Sequence, residues 1–250
     1  MHGRVTLSLI VALGCLAACA VPASAAPTTA LTISTTLLSQ PAGKPWQIGL
    51  GVGATVANAD GSQPPALRRF QVKFPSGAKT NFGAFPACSL KALETRKDPD
   101  GCPAASRIGS GTSGVSAKPI FPDPLLAKLD VFNGAPTANG GRRVLFLART
   151  TTPLSVQMVF SGTIRKTSGR FGYVLDVSIP RIPTIGGLPD ASPVSFNTLV
   201  QARRHGISYL EAPTRCPKGG LPFLATFGFA DGSSATSSAH ISCTLTSVPG

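Results

Sequence analysis

Between Ser155 and Ile179 apolar and polar residues alternate with a period of two, and this pattern restricts the fold more than any other feature of the chain. Val156, Met158, Phe160 and Ile164 share one face, while Ser155, Gln157, Ser161, Thr163 and Arg165 share the other. After Lys166-Thr167-Ser168-Gly169 the alternation resumes, with Phe171, Tyr173, Leu175, Val177 and Ile179 on one side and Asp176 and Ser178 on the other. Successive side chains of a strand point to opposite faces, so the segment reads as a β-hairpin with one buried face. Further strands are expected at 31–38, 48–57, 67–74, 107–116, 128–132, 142–150, 194–203, 223–230 and 239–245. Asp60-Gly61, Ser76-Gly77, Asn133-Gly134, Asn139-Gly140-Gly141 and Asp231-Gly232 supply turn residues between them. The expected fold is therefore all-β, an antiparallel β-sandwich or sandwiches, immunoglobulin-like or related, with about a dozen short strands. Only 89–96 reads as a helix, with Ser89 as its cap and Cys88 pinning its start.

Composition agrees. Charged residues are 13% of the chain, and Gly 27 with Pro 23 make up a fifth of its 250 residues. That mixture suits strands and turns and not long helices, whose exposed faces need Glu and Lys. The prolines of Lys118-Pro119-Ile120-Phe121-Pro122-Asp123-Pro124 cannot occupy a central strand, which suggests two β subdomains, 26–118 and 119–250. A second Pro- and Gly-rich stretch, 179–193, reads as a surface connection.

The first residues carry two overlapping export signals. A basic start, an apolar run over 5–21 and Ala23-Ser24-Ala25 form a secretory leader, giving a signal peptide of 1–25. Within it, Leu16-Ala17-Ala18-Cys19 resembles a bacterial lipobox, in which a leader of 1–18 is removed and Cys19 is lipidated. The first reading gives a secreted protein, extracellular or at the cell surface; the second gives a membrane-anchored lipoprotein. Beyond the leader lie Cys88, Cys102, Cys216 and Cys243, an even number in an oxidising compartment. Of three connectivities, the local pairing Cys88–Cys102 and Cys216–Cys243 is expected, because the intervening segments close short loops. Zinc fails on spacing, since neither pair approaches C-x-x-C and His205 and His240 fall in no ligand pattern.

Motifs with chemical potential are sparse. Gly109-Ser110-Gly111-Thr112-Ser113-Gly114 matches G-x-G-x-x-G, but no helix follows before Pro119, so it reads as a small-residue strand passing close to another segment. Asp98-Pro99-Asp100-Gly101 begins like a calcium loop and lacks the remaining ligands; it reads as a turn. There is no G-x-S-x-G elbow, and His240 and Asp176 fall on the polar faces of different strands. No catalytic, cofactor-binding or metal-binding residue is assigned, and no cofactor is expected.

Charge is the one route to a partner. Of the 23 Lys and Arg, Arg4 lies in the leader, and the remaining 22 face 10 acids, a net charge of +12. Such a surface attracts polyanions. The doublets Arg68-Arg69, Arg142-Arg143, Arg165-Lys166 and Arg203-Arg204 fall at strand ends and would form one patch if those ends gather. Arg142, Arg143, Arg203 and Arg204 are the candidate polyanion-binding residues, toward an anionic cell-wall polymer or polysaccharide. Aromatic residues are too dispersed for a nucleic-acid stacking platform.

The segments Phe85-Pro86-Ala87-Cys88, Gly101-Cys102-Pro103-Ala104-Ala105-Ser106-Arg107-Ile108-Gly109, Ala212-Pro213-Thr214-Arg215-Cys216-Pro217 and Phe227-Gly228-Phe229-Ala230-Asp231-Gly232, with Cys243, together resemble uncharacterised secreted β-rich proteins of high-GC Gram-positive bacteria. The shared residues are structural, so the resemblance implies an envelope setting and carries over no site. The expected function is that of an exported, non-enzymatic protein of the cell envelope or its surroundings, binding an anionic polymer. A secreted hydrolase with an unrecognised site is the alternative.

Overall fold

The computed structural model describes residues 27–40 and 44–242. The leader with Cys19, and Cys243, lie outside the described residues. Eleven long strands form the body: β1 (Thr28–Ser39), β2 (Gln47–Ala57), β3 (Leu67–Pro75), β5 (Arg107–Ser116), β6 (Leu125–Pro136), β7 (Arg142–Thr150), β8 (Val156–Lys166), β9 (Phe171–Ser178), β10 (Ser192–Val200), β14 (Leu221–Phe229) and β15 (Ser234–Ile241). Four two-residue strands complete them: β4 (Lys79–Thr80), β11 (Arg203–Arg204), β12 (Ile207–Ser208) and β13 (Leu210–Glu211). The expected hairpin is β8–β9, with Ile164 opposite Leu175.

Hydrogen-bonded neighbours run β15-β14-β3-β9-β8-β7-β6-β5-β10-β2, with β1 on the far side of β2. Each of these strand pairings is antiparallel. The all-β antiparallel reading therefore holds, but strands from both sides of residue 118 alternate along one continuous sheet. The described residues of 26–118 and of 119–250 share a single interior, which corrects the two-subdomain division: β3 lies between β14 and β9, and β5 between β6 and β10. The Pro-rich 117–124 segment is a connection within that sheet.

The sheet curls until its first and last strands meet. Thr29 of β1 and Ser237 of β15 share a hydroxyl hydrogen bond of 2.9 Å, and Ser237 Oγ donates to the Thr29 carbonyl at 2.6 Å. The curl is flattened like a sandwich, because Phe70 of β3 and Phe196 of β10, six places apart in the sheet order, touch edge to face at 4.5 Å. One end of the body carries the connections 58–66, 117–124, 151–155, 179–191 and 230–233; we term it the upper end. The lower end carries 40–46, 76–106, 137–141, 167–170 and 201–220.

The outward faces are polar, as on β1, where Thr28, Thr32, Ser34 and Thr36 are exposed while Leu31 and Ile33 turn inward. That polarity is the reverse of a transmembrane barrel, whose outer band is apolar. No helix among the described residues is long and apolar enough to cross a membrane. One outward patch is apolar: Phe132, Leu145 and Leu147, on β6 and β7, are covered by Leu93 of helix α1 (Leu90–Arg96) and by the Cys88–Cys102 disulfide. This cover is why two adjacent strands can be apolar on both faces. Ser89 stands at the helix N-cap, yet its side chain makes no capping hydrogen bond; the disulfide and the Cys88 N–H to Asn133 carbonyl bond at 2.7 Å fix the start instead.

Candidate functional site

The inward residues of several strands are only half-buried, although they face the interior. Val52, Met158, Phe160, Ile164, Leu175 and Phe196 all behave in this way. Their uncovered surface borders a cavity of about 770 Å³ inside the curled sheet, within the range of roughly 300–1,000 Å³ common for small-molecule sites. Its walls extend from Leu154 and Ile185 at the upper end to Lys79 and Glu211 at the lower. The space exists because inward positions are small at particular places: Ser113 on β5, Ala127 on β6, Ala148 on β7 and Thr198 on β10.

Few polar atoms are available to a ligand here. Ser113 donates its hydroxyl to the Ser195 carbonyl at 2.8 Å, Thr198 to the Val52 carbonyl at 3.3 Å, and Thr150 to the Leu154 carbonyl. Tyr209 donates to Asn133 Oδ1 at 3.1 Å, and Asn133 Nδ2 in turn holds the carbonyls of Phe82, Phe85 and Pro86. Burial pushes the Tyr209 phenol far above its usual value, so it stays protonated and keeps donating. Phe82 and Phe85 pack edge-on against Tyr209 at 5.5 and 5.2 Å, making an aromatic floor at the lower end. What remains on the walls is almost wholly hydrocarbon.

The upper end is a mouth with an apolar rim. Leu154 and Ile185 line the cavity while 49% and 68% exposed, and Val156, Leu188 and Leu126 are exposed at the same end. Ile207, in the lower-end hairpin, is the sixth large apolar side chain exposed among the described residues. Segments 179–193 and 118–124, expected as a surface connection and as a subdomain boundary, together frame this opening. The signal was Ile182, Ile185 and Leu188 recurring inside a Pro- and Gly-rich loop.

Basic doublets sort into two groups. Arg68 pairs with Asp190, as does Arg181 at 2.8 Å, and Arg69 and Arg165 pair with Asp176 at 2.5 and 3.1 Å. Hydrogen bonds from arginine, led by Arg69 at Asp176 and Arg181 at Asp190, hold both carboxyls below the usual 3.8. Arg142, Arg143, Arg203 and Arg204 make no ion pair with the described acids. Two of them meet one turn: the Arg142 guanidinium lies 5.7 Å from the Phe82 ring centroid, and Arg204 Nη1 donates to the Ala84 carbonyl at 2.9 Å. The doublets at 142–143, 165–166 and 203–204 share the lower end, and 68–69 lies at the other.

The remaining motifs have structural roles. Gly109 and Gly111 lie in β5, where an added Cβ would stand 2.4 and 2.0 Å from carbonyl oxygens of Leu199 and Asn197; the close neighbour is the adjoining strand β10. Asp98 accepts from the Asp100 N–H at 2.8 Å in a tight turn. No group of three potential metal ligands occurs among the described residues. His240 lies exposed on β15 and Asp176 on β9, three strands away in the sheet, so these two do not converge. Cys88 and Cys102 are bonded as expected, and Cys216 is disulfide-bonded too; the Cys216–Cys243 pairing falls on a residue outside those described. Such bonds persist in oxidising compartments.

No family model matches the chain, and no curated protein does. Among solved structures, the Iho670 flagellar-like filament is 12% identical, with a TM-score of 0.25 over 92% of this chain and 89% of the other. A likeness of that size carries no argument about fold or function.

Proposed function

We propose that this is an exported, non-enzymatic binding protein that carries a long-chain apolar ligand, such as a lipid acyl chain, within its curled sheet. It works at the cell envelope or outside the cell. The observation behind this reading is the cavity of about 770 Å³, walled almost wholly by hydrocarbon, in which the Ser113, Thr198 and Tyr209 hydroxyls are engaged by the protein. Sugars and nucleotides need several converging polar groups, which this wall does not offer. A hydrocarbon chain needs only apolar contact, at roughly 0.8 kcal/mol per buried methylene before the costs of ordering are met. The elongated form, running between the two ends, suits a chain better than a compact ring system. The leader and the disulfides support an extracytoplasmic setting.

Solvent extraction of the purified mature protein followed by mass spectrometry tests the proposal, together with titration of the stripped protein with a fluorescent fatty-acid analogue. One hydrocarbon-chain ligand per molecule, displaced by long-chain fatty acid and not by sugar, is expected. An empty extract and an unchanged fluorophore would refute it.

A further inference from the structure

The two ends of the body differ sharply in charge. The upper connections carry Asp60, Asp123, Asp190 and Asp231 against Lys118 and Arg181. The lower connections 40–46, 76–106, 137–141, 167–170 and 201–220 carry Lys44, Lys79, Lys91, Arg96, Lys97, Arg170, Arg203, Arg204, Arg215 and Lys218 against Glu94, Asp98, Asp100 and Glu211. Glu211 is itself engaged, accepting from Asn81 Nδ2 at 2.9 Å. Ion pairing keeps the contrast: Asp190 is spent on Arg68 and Arg181, Asp176 on Arg69 and Arg165, and Asp130 on Arg107 and Arg149, so none of these three carboxylates neutralises Arg142, Arg170 or Arg204.

From these observations we infer a second, independent site: the lower rim around the 82–84 turn binds a linear phosphate-bearing polymer. Arg142 and Arg204 flank that turn, and neither has its fork closed by a carboxylate. Arg142 rests on the Phe82 ring face, which leaves its N–H edges free, and Arg204 spends one N–H on the Ala84 carbonyl. Along the same rim Arg170 and Lys73 sit over the Phe171 ring at 4.9 and 5.9 Å. Strands β7, β8, β9 and β3 are consecutive neighbours, so at about 4.8 Å per strand the basic groups extend over roughly 14 Å. That geometry favours a chain with repeated charges over a single small anion. Phosphate is favoured over carboxylate because one guanidinium fork fills a carboxylate, whereas a tetrahedral phosphodiester offers its oxygens to arginines on both sides of a turn. Bound in this way, the protein keeps its apolar mouth, at the opposite end, clear of the polymer.

Inorganic polyphosphate is the test probe, with Arg142→Gln/Arg204→Gln as the rim variant and Lys118→Gln/Lys128→Gln as a charge-matched control remote from the rim. Four phosphate contacts imply that affinity of the wild type falls about fifty-fold between roughly 50 and 200 mM salt, by counterion release. The rim variant should bind at least tenfold more weakly with a shallower salt dependence, and the control should match wild type. Both should unfold at the wild-type temperature and bind the fluorescent fatty-acid analogue normally, so that loss here is separable from failure of the cavity proposal. Equal weakening of the two variants would overturn the site in favour of diffuse charge. Equal affinity for a polyuronate of matched charge density would overturn the phosphate assignment.

Discussion

Replacing Ala148 with phenylalanine should stabilise the protein while abolishing ligand binding, a combination that only a hollow interior permits. Ala148 points inward on β7, directly opposite Leu129 on β6 and Met158 on β8, and lines the cavity. Burying a phenylalanine side chain contributes about 1.5–3 kcal/mol when the space exists to receive it. Forcing the same ring into a filled core costs about 1–3 kcal/mol, so the two cases differ in sign. At the low end of the gain, about 1.5 kcal/mol, and at about 2–4 °C per kcal/mol for a chain of this size, the unfolding midpoint should rise by about 3–6 °C. The assay is calorimetry on protein stripped of ligand, paired with titration of the fluorescent fatty-acid analogue, whose affinity should drop at least tenfold. The ligand-induced rise in midpoint seen with wild type should disappear with it. A lower midpoint with unchanged binding would refute both the hollow interior and the ligand placement.

Replacing Cys88 and Cys102 together with alanine should cost about 3 kcal/mol in denaturant unfolding, the loop-closure value for a separation of 14 residues; it should also loosen α1, visible as faster amide exchange over Leu90–Arg96. Asp130→Asn should cost about 1–3 kcal/mol in the same assay, because Asp130 is only 2% exposed between Arg107 and Arg149, while those arginines, at 48% and 29% exposure, can turn to water once released. Acid should destabilise the protein through Asp176: its folded pKa lies below 3.8, so its contribution is complete above the unfolded value and is lost as pH falls through the folded one. Urea unfolding across that window should show the slope in wild type and a smaller slope in Asp176→Asn.

The long strands were legible because their faces differ: β8 and β9 follow the alternation of 155–179 almost residue for residue. The start of β15 was not, since Ser234-Ala235-Thr236-Ser237-Ser238 has little contrast between faces, and its place in the sheet comes from pairing with β14. Nor does periodicity say how many sheets there are. Inward and outward faces look the same whether strands join one sheet or two, and the choice rests on partners distant in sequence, such as Phe70 with Phe196. The cavity left only a faint trace, in the small inward residues Ser113, Ala127 and Ala148, which read equally well as tight packing. Among the basic doublets the sequence could name all four; which ones are neutralised depends on where Asp176 and Asp190 fall.

Eleven strands are an odd number. With each neighbour reversed, β1 and β15 come together running in the same direction, and the described contact between them includes the hydroxyls of Thr29 and Ser237. No backbone ladder joins these two strands among the described residues, whereas parting any other adjacent pair breaks a row of amide hydrogen bonds. Circumference is therefore cheapest to change at this one line, which works as an expansion joint. A wall closed by ladders all round holds one bore; a wall with a soft seam can widen by a side chain's breadth for a thicker occupant and draw shut around a thinner one.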